Sequence, residues 1–165
     1  ERSVWKSRAK GGQVRILVTN DKKIRSYGRG ITNIKASFPN DIKTIWNIVT
    51  SLDNYTWRSD LSKLEIIKSQ EQFIEYTKNG YPTTFTITCF RPYQRYEFSM
   101  ENSNMKGHWI GLFSSHNGIT SIDFTENITP KKFFMKPFVK RYLKKQQAAY
   151  IRDLTAVLEA IEHRF

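Results

Sequence analysis

The stretch that decides the fold runs from Phe38 to Ile67, FPNDIKTIWNIVTSLDNYTWRSDLSKLEII. Its pattern predicts the end of a strand, a helix, a second short helix over Trp57–Lys63 and the start of another strand. The first helix carries start signals, because Asn40 and Asp41 place side-chain acceptors beside backbone N–H groups that lack partners within the helix. Apolar residues at steps of three and four share one face, which we expect to be buried: Ile42, Ile45, Trp46, Val49 and Leu52.

Short strands with alternating side chains surround these helices. In Ile31–Phe38, the residues Ile34, Ala36 and Phe38 fall on one face and mostly polar residues on the other. Turn signals such as Asn79-Gly80 separate further strands, which we predict at residues 64–69, 72–78, 83–91, 95–101, 107–115 and 119–128. Because these strands are short and lie at hairpin distances, the sheet is predicted to be antiparallel.

The last predicted element is one long helix. Pro130 ends the final strand, Pro137 suits the first turn of a helix, and no helix breaker follows until about Glu162. A helix of ~25 residues is ~37 Å long, which is longer than a small sheet is wide, so we expect it to lie across the concave face of the sheet. Its inward stripe is predicted to contain Val139, Tyr142, Leu143, Gln146, Tyr150, Leu154, Val157, Leu158 and Ile161.

Size and composition indicate one globular unit with a packed core. The chain has 165 residues, of which 39% are hydrophobic and 14% aromatic, so it is not a disordered chain. No apolar run approaches the ~20 residues that a membrane-spanning helix needs. The single cysteine, Cys89, excludes an internal disulfide framework and fits a reducing compartment, so we expect a cytoplasmic protein.

The net charge of +12 is concentrated at the two ends of the chain. Residues 1–30 have nine Lys and Arg against two acids, residues 131–165 have nine against three, and the centre is close to neutral. We therefore divide the chain into a basic N-terminal arm over residues 1–30, with a possible extra strand at Val14–Val18, and a single domain over residues 31–165.

A resemblance to a known superfamily agrees with this order of elements. The segment Ile45–Tyr55, IWNIVTSLDNY, followed by Trp57, resembles the opening motif of the polyketide cyclase/dehydrase and lipid-transport group of the START-like (Bet v 1-like, SRPBCC) superfamily. The resemblance covers about Ile31 to Ile161. It implies an α+β helix-grip fold, in which a curved antiparallel β-sheet wraps around a long C-terminal α-helix, with two short helices after the first core strand.

The resemblance also implies a cavity between the sheet and the long helix that takes an apolar or amphipathic small molecule. It is specific for the fold and not for an activity, because this scaffold hosts carriers, receptors and enzymes. The ligand-binding residues that we predict on inward faces are Trp57, Tyr76, Phe85, Phe98, Trp109, Phe124, Glu126, Tyr142 and Gln146.

Several of these residues have a second interpretation. Tyr142 and Gln146 interrupt an apolar stripe and suit a cavity that supplies hydrogen-bond partners, but they also suit a packed boundary face. Glu126 shares the inward face of its strand with apolar residues, so it reaches solvent at the strand end, forms an ion pair, or acts on a ligand. Trp57 and Trp109 are either core anchors or cavity walls. Asp60 is expected to cap or to pair with Arg58 rather than to touch a ligand.

The sequence offers no pattern for metal binding or nucleophilic catalysis. The histidines, His108, His116 and His163, lack the spacing of a zinc site, and only one cysteine accompanies them. Cys89 lies on a predicted inward face, where a cysteine is usually a small buried hydrophobic residue. We therefore assign no catalytic residue, metal or cofactor.

The long helix begins with a basic face. Lys136, Lys140 and Lys144 fall at steps of four, with Arg141 and Lys145 beside them. Such a face is either solvated or meets anionic lipid headgroups, where each basic group contributes about 1 kcal/mol. Nucleic acid is disfavoured as a partner, because no base-reading motif or aromatic platform accompanies the charge.

Together these features favour a non-enzymatic protein that binds or carries a hydrophobic or amphipathic small molecule, lipid or polyketide-like, in an internal cavity. Two alternatives stay open. One is a cyclase- or hydratase-type enzyme that uses the carboxylate of Glu126 with a tyrosine. The other is a basic adaptor for an anionic membrane or nucleic acid.

Overall fold

A computed structural model describes the backbone of residues 3–9 and 12–18 and all atoms of residues 30–163. The strands and helices in chain order are β1 (Ser3–Ala9), β2 (Gly12–Val18), β3 (Gly30–Phe38), α1 (Ile42–Thr50), β4 (Leu61–Lys68), β5 (Gln72–Thr77), β6 (Pro82–Arg91), β7 (Arg95–Glu101), β8 (Met105–His116), β9 (Ile119–Pro130) and α2 (Lys136–Glu162). A 3₁₀ turn, Phe133–Met135, directly precedes α2.

All strands belong to one antiparallel sheet with the order β1-β2-β3-β9-β8-β7-β6-β5-β4. The seven strands from β3 to β9 form the α+β unit on which α2 packs, and hairpins connect β4 to β9 in sequence order. β3 pairs along its whole length with β9. The hairpin of β1 and β2 extends the sheet beyond β3, whereas the sequence suggested one strand there, at Val14–Val18.

The sequence signals around α1 are confirmed. Ile34, Ala36 and Phe38 are buried on one face of β3, as their alternation predicts. α1 begins after Asp41, whose carboxylate accepts a hydrogen bond from the backbone N–H of Lys43 at 3.0 Å. An acceptor at this position satisfies a donor that the helix itself leaves unpaired.

The second short helix expected at Trp57–Lys63 is absent, so one short helix follows the first core strand instead of two. Turns occupy residues 56–60, and β4 already begins at Leu61. Tertiary contacts override the helical pattern here. The backbone N–H and the hydroxyl of Ser59 both donate to Asp153 of α2, at 2.8 and 2.7 Å, and the guanidinium of Arg58 turns inward.

α2 has 27 residues and contains Pro137 in its first turn, as predicted. It packs chiefly against β3 and β9. A Cβ atom on Gly30 would lie 2.7 Å from Cγ1 of Val139, so a larger residue at position 30 would require the Val139 side chain or the helix to shift. None of the helices in the described part of the chain is long and apolar enough to span a bilayer.

The buried face of α2 agrees with the predicted stripe at Leu143, Leu154 and Leu158 and departs from it at Gln147 and Ile151, which were not predicted. The buried residues are Leu143, Gln147, Ile151, Leu154 and Leu158. Tyr142 is half exposed, and Gln146 lies at the boundary. The spacing rule allowed either row, because the row 142, 146, 150 and the row 143, 147, 151 have the same period.

Trp46 of α1 is a core anchor, and its indole is 3% exposed. Its ring meets Phe90, Tyr96 and Phe113 edge to face, with centroid distances of 5.3, 6.3 and 4.9 Å. These contacts hold α1 against β6, β7 and β8.

We expect Trp46→Ala to lower the free energy of unfolding by about 3–5 kcal/mol, because it deletes a large side chain that its neighbours cannot replace. Urea denaturation measures the change. Ile67→Ala serves as the control, since Ile67 is 50% exposed on β4, and we expect it to be close to neutral. A Trp46→Ala protein as stable as the control would contradict the packing described for α1.

Candidate functional site

A cavity of about 700 Å³ lies between α2 and the inward face of the sheet. Its walls come from the end of α1, the turns before β4, the strands β3 to β9, the 3₁₀ turn and the first half of α2. The volume is within the ~300–1,000 Å³ of small-molecule sites in proteins. Most lining residues are aliphatic or aromatic, so the cavity suits an apolar molecule.

The structure brings eight of the nine predicted ligand-binding residues together around this cavity. They are Trp57, Phe85, Phe98, Trp109, Phe124, Glu126, Tyr142 and Gln146. Tyr142 and Gln146 lie at its edge, where the amide of Gln146 donates a hydrogen bond to the Tyr142 hydroxyl at 2.9 Å. For the residues on strands, the alternation of side chains between the two faces therefore identified which ones line the cavity.

Tyr76 is the exception and does not line the cavity. It lies on β5, where the alternate residues Phe73, Glu75 and Thr77 face the cavity and Tyr76 faces the other way. Its hydroxyl donates to Glu65 at 3.3 Å, and its ring lies 5.2 Å from Nζ of Lys63. Neighbouring residues in a strand point to opposite faces, and Glu75 rather than Tyr76 lies on the inward face. The prediction that Tyr76 lines the cavity is therefore wrong.

Aromatic stacking builds the sheet side of the cavity. The rings of Phe98 and Trp109 stack with centroids 4.8 Å apart, and Phe73 stacks on Phe85 at 5.0 Å. The indole of Trp109 lies over Gly111, where a Cβ atom would come within 2.3 Å of Cη2. Gly111 therefore lets the Trp109 ring lie flat against the strand and leaves the space above it open.

One buried guanidinium organises the polar end of the cavity. Arg58 donates to Glu75 through Nη1 at 2.5 Å and to Asp60 through Nη2 and Nε at 2.7 and 3.1 Å. It also lies 5.3 Å from the centre of the Tyr150 ring. The expected pairing of Asp60 with Arg58 is confirmed, and all three charged residues also line the cavity.

Burial and pairing act in opposite directions on this cluster. Burial lowers the pKa of Arg58, but the charge of Glu75 and the hydrogen bond with Asp60 outweigh it, so the pKa is raised overall. Burial raises the pKa of Glu75, against the lowering effect of Arg58. Burial also raises the pKa of the Tyr150 hydroxyl, which stays protonated at neutral pH. Arg58 is thus a permanent cation whose charge is already neutralised by its neighbours.

Glu126 differs from this cluster because it has no close partner. It lies on β9 between Thr32 of β3 and Trp109 of β8 and faces the cavity. No hydrogen bond or ion pair to its carboxyl is formed within residues 30–163. Burial raises its pKa to about 7, while the charge of Arg58 lowers it and that of Glu75 raises it. Of the three interpretations of Glu126, the structure therefore favours a carboxyl at the cavity wall over a solvent-exposed strand end or an ion pair.

Two hydrogen-bond donors near the cavity also lack partners. They are Nε1 of Trp57 and Nε2 of Gln147, both buried and unpaired within the described residues. Gln147 is only 8% exposed. Buried polar groups are normally satisfied, so unpaired donors beside a cavity suit a water molecule or a ligand.

Sequence reasoning missed Arg58, Glu75 and Gln147 as parts of the site. Glu75 could have been found by the parity that identified Glu126, because it alternates with the apolar Phe73. Gln147 lies beside the predicted stripe of α2, and Arg58 enters the site through the turn that replaces the second helix. Neither of these is encoded in local periodicity.

The remaining candidate groups lie elsewhere. Within the described ranges, no group of three or more His, Cys, Asp or Glu side chains is placed to hold a metal ion. Cys89 is half-buried after a register shift in β6 and does not line the cavity, although the sequence placed it on the inward face.

We expect Glu126→Gln to stabilise the protein at alkaline pH and to have little effect in acid. The pKa of this group is about 7 in the folded state against 4.5 ordinarily, so the folded chain holds the proton more tightly between these values. The stability that this provides is complete below the lower pKa and is lost as pH rises through the upper one. The glutamine side chain does not ionise, so the Glu126→Gln protein does not lose this stability. In urea denaturation, its free energy of unfolding should exceed that of the parent at about pH 8 but not at about pH 5.

Glu101→Gln is the matched control for this experiment. Glu101 is exposed and paired with Lys131, whose hydrogen bond and charge lower the carboxyl pKa. Its replacement therefore brings no gain at alkaline pH. A Glu126→Gln protein that gains as much stability in acid as in alkali would show that the carboxyl is not held in the cavity wall as described.

Comparison with known proteins gives a structural likeness. No protein-family model matches this sequence, and no curated protein matches it. A START superfamily protein from Mycobacterium smegmatis is 13% identical, with a TM-score of 0.68 over 79% of this chain and 98% of that one. A conserved protein from Geobacillus kaustophilus is 9% identical, with a TM-score of 0.68 over 80% of this chain and 95% of its own.

A third similar structure is CalU16 from Micromonospora echinospora, which is 12% identical, with a TM-score of 0.54 over 99% of this chain and 91% of its own. At such low identities the likeness concerns the fold, and no activity comes with it. The antiparallel sheet, the long closing helix and these matches agree, so the chain has the START-like (Bet v 1-like) fold.

Proposed function

We propose that this protein binds and carries a hydrophobic or amphipathic small molecule in the cavity between α2 and the sheet. The observation that supports this most is the cavity itself, about 700 Å³ of space where a solid core would otherwise stabilise the fold. Protein interiors are normally close-packed, so a space of this size with aromatic walls indicates a binding site.

The polar groups of the cavity narrow the class of ligand. Its ionisable lining has one cation, Arg58, against three carboxyl groups, those of Asp60, Glu75 and Glu126. Arg58 is already neutralised by two of them, so Glu126 is the ionisable group of the described lining that is left to meet the ligand. We therefore propose a ligand with an apolar body and a polar end that donates a hydrogen bond or carries a positive charge.

Binding would combine two effects. Burial of the apolar body contributes about 25 cal/mol for each Å² removed from water. The polar end sets the orientation, because an unpaired carboxyl within an apolar wall gains most from a donor placed directly beside it. An anionic end group is disfavoured at this position, since it would face Glu126 without a free cation nearby.

A second candidate function is acid–base catalysis by Glu126. The observation in its favour is a carboxyl whose pKa of about 7 lies near physiological pH, where a group can both take up and release a proton. Tyr142 is close enough for the charge of Glu126 to raise its pKa, after the larger effect of burial. Turnover of a host-derived ligand that is lost in Glu126→Gln would identify this function.

The proposal includes a place of action. Lys136, Lys140 and Lys144 are exposed on α2, and we propose that a carrier exchanges its ligand at an anionic membrane surface through them. The single cysteine of the chain supports a reducing compartment, the cytoplasm, as the site of this exchange.

We expect the neutral apolar fluorophore N-phenyl-1-naphthylamine to bind in the cavity with enhanced fluorescence. Leu64→Trp should weaken its affinity by about tenfold or more, because the larger side chain fills part of the space. Ile67→Trp is the matched control on the same strand, since Ile67 is exposed and does not line the cavity. Circular dichroism confirms folding, and equal affinity of both variants would contradict binding in the cavity.

Competition with this fluorophore tests the polarity of the ligand. We expect dodecylamine to displace it at about tenfold lower concentration than dodecanoate, because the cavity offers a carboxyl to the amine and repels the carboxylate. Glu126→Gln should reduce the difference between the two. A preference for dodecanoate would overturn the proposed ligand class and leave binding of apolar molecules intact.

A further inference from the structure

The mouth of the cavity exposes aromatic side chains. Phe133, Phe134 and Phe138 are 80%, 61% and 69% exposed, and Tyr142 is 51% exposed. Four of the eleven exposed large hydrophobic residues in the described side chains thus lie within ten residues of sequence. Scattered apolar residues on a surface are normal, whereas a contiguous group marks an interaction site.

Cations surround these rings. Residues 131–152 contain eight Lys and Arg and no acid. Lys131 pairs with Glu101 at 2.7 Å, but six other exposed cations form no ion pair within residues 30–163. These six are Lys132, Lys136, Lys140, Arg141, Lys144 and Lys145. We refer to the four aromatic residues, Lys131 and these six cations as the mouth surface.

The mouth surface is continuous with the cavity. Phe134, Phe138 and Tyr142 are exposed to solvent and also line the cavity. They therefore mark the place where the cavity reaches the outside of the molecule. A partner that covers this surface would cover the opening as well.

We propose that the mouth surface docks on an anionic lipid bilayer, with Phe134 and Phe138 entering the boundary between headgroups and acyl chains. Aromatic residues beside Lys and Arg are the composition of helices that lie in a membrane interface. The unpaired cations complement anionic headgroups, and the rings complement the acyl boundary below them. A nucleic acid would also satisfy the cations, and its bases can stack on exposed rings, but it offers no apolar phase at the opening of an apolar cavity.

Docking in this orientation directs the cavity opening into the lipid. An apolar molecule could then pass between bilayer and cavity without crossing water. The docking itself does not require a ligand, whereas its use for ligand transfer rests on the proposed function. The two are separable, because vesicle binding and fluorophore binding are measured independently.

Cosedimentation with vesicles tests the docking. We expect binding to phosphatidylcholine vesicles that contain phosphatidylserine, and much weaker binding to vesicles of phosphatidylcholine alone. Replacing Phe133, Phe134 and Phe138 together by Ser should weaken binding by at least about tenfold, because it removes buried apolar area. Replacing Lys136, Lys140 and Lys144 by Gln should weaken it about a hundredfold at low salt and reduce its salt dependence.

Two matched controls keep the result interpretable. Ile66→Ser with Ile67→Ser removes exposed apolar residues from β4, far from the mouth surface in sequence, and should leave vesicle binding unchanged. Circular dichroism and urea denaturation show that each variant still folds. If the serine variant binds vesicles as well as the parent does, insertion is wrong and only electrostatic attraction remains.

A fluorescent label reports insertion directly. A nitrobenzoxadiazole group on Phe134→Cys, with Cys89 replaced by Ser, should shift to shorter wavelength on anionic vesicles, and the same label on Ile67→Cys should not. Two results would overturn the proposal. One is no shift at either position, and the other is retardation of RNA in a gel by a protein that ignores vesicles.

Discussion

The height of α2 above the sheet is the constraint on which the rest of the structure depends. The helix rests on β3 and β9, and Gly30 of β3 leaves room there for the side chains of Val139 and Leu143. Its second half is buried there through Ile151 and Leu154. The strands farther along the curved sheet are left at a distance that side chains alone do not fill. Their inward residues become walls of a cavity, and the aromatic rings among them, such as those of Phe85, Phe98 and Trp109, cover much of the wall area.

Charge is separated between the inside and the outside of the molecule. The cavity lining has a surplus of carboxyl groups, whereas all charged residues in the first half of α2 are cations, and they are exposed. Arg58 does not alter this separation, because Asp60 and Glu75 occupy its donors. Removing one member of such a buried cluster leaves an uncompensated charge, so the three residues stabilise the turn before β4 only as a set. The exposed cations of α2 therefore lie outside the cavity, while Arg58, the one cation of the described lining, is already paired with two carboxylates.

The sequence predicted the elements that follow from local periodicity and capping. The alternation in β3, the cap at Asp41, the hairpin strands and the long final helix all appear as expected. It failed where tertiary contacts decide. Ser59 and Arg58 hold the chain before β4 in turns, against its helical pattern.

The site was predictable to the same extent. Parity placed Phe85, Phe98, Phe124 and Glu126 on the cavity wall correctly, because their strands have one apolar face. It failed at Tyr76, whose strand carries apolar residues on both faces, so local pattern did not distinguish them. Gln147 was missed in a similar way, since it and Gln146 are adjacent residues of the same type and the pattern pointed to Gln146.

The cavity also links the lifetime of the folded chain to its contents. Empty space gives the walls fewer atoms to contact, so the unoccupied protein forgoes dispersion energy that a solid core would have. Any molecule that fills the space and binds only the folded chain raises its stability with concentration, by about 2.7 kcal/mol at a hundredfold excess over Kd. Cellular proteases act on unfolded chains, so occupied copies outlast empty ones. Abundance of the protein would then follow the supply of its ligand without any regulatory site.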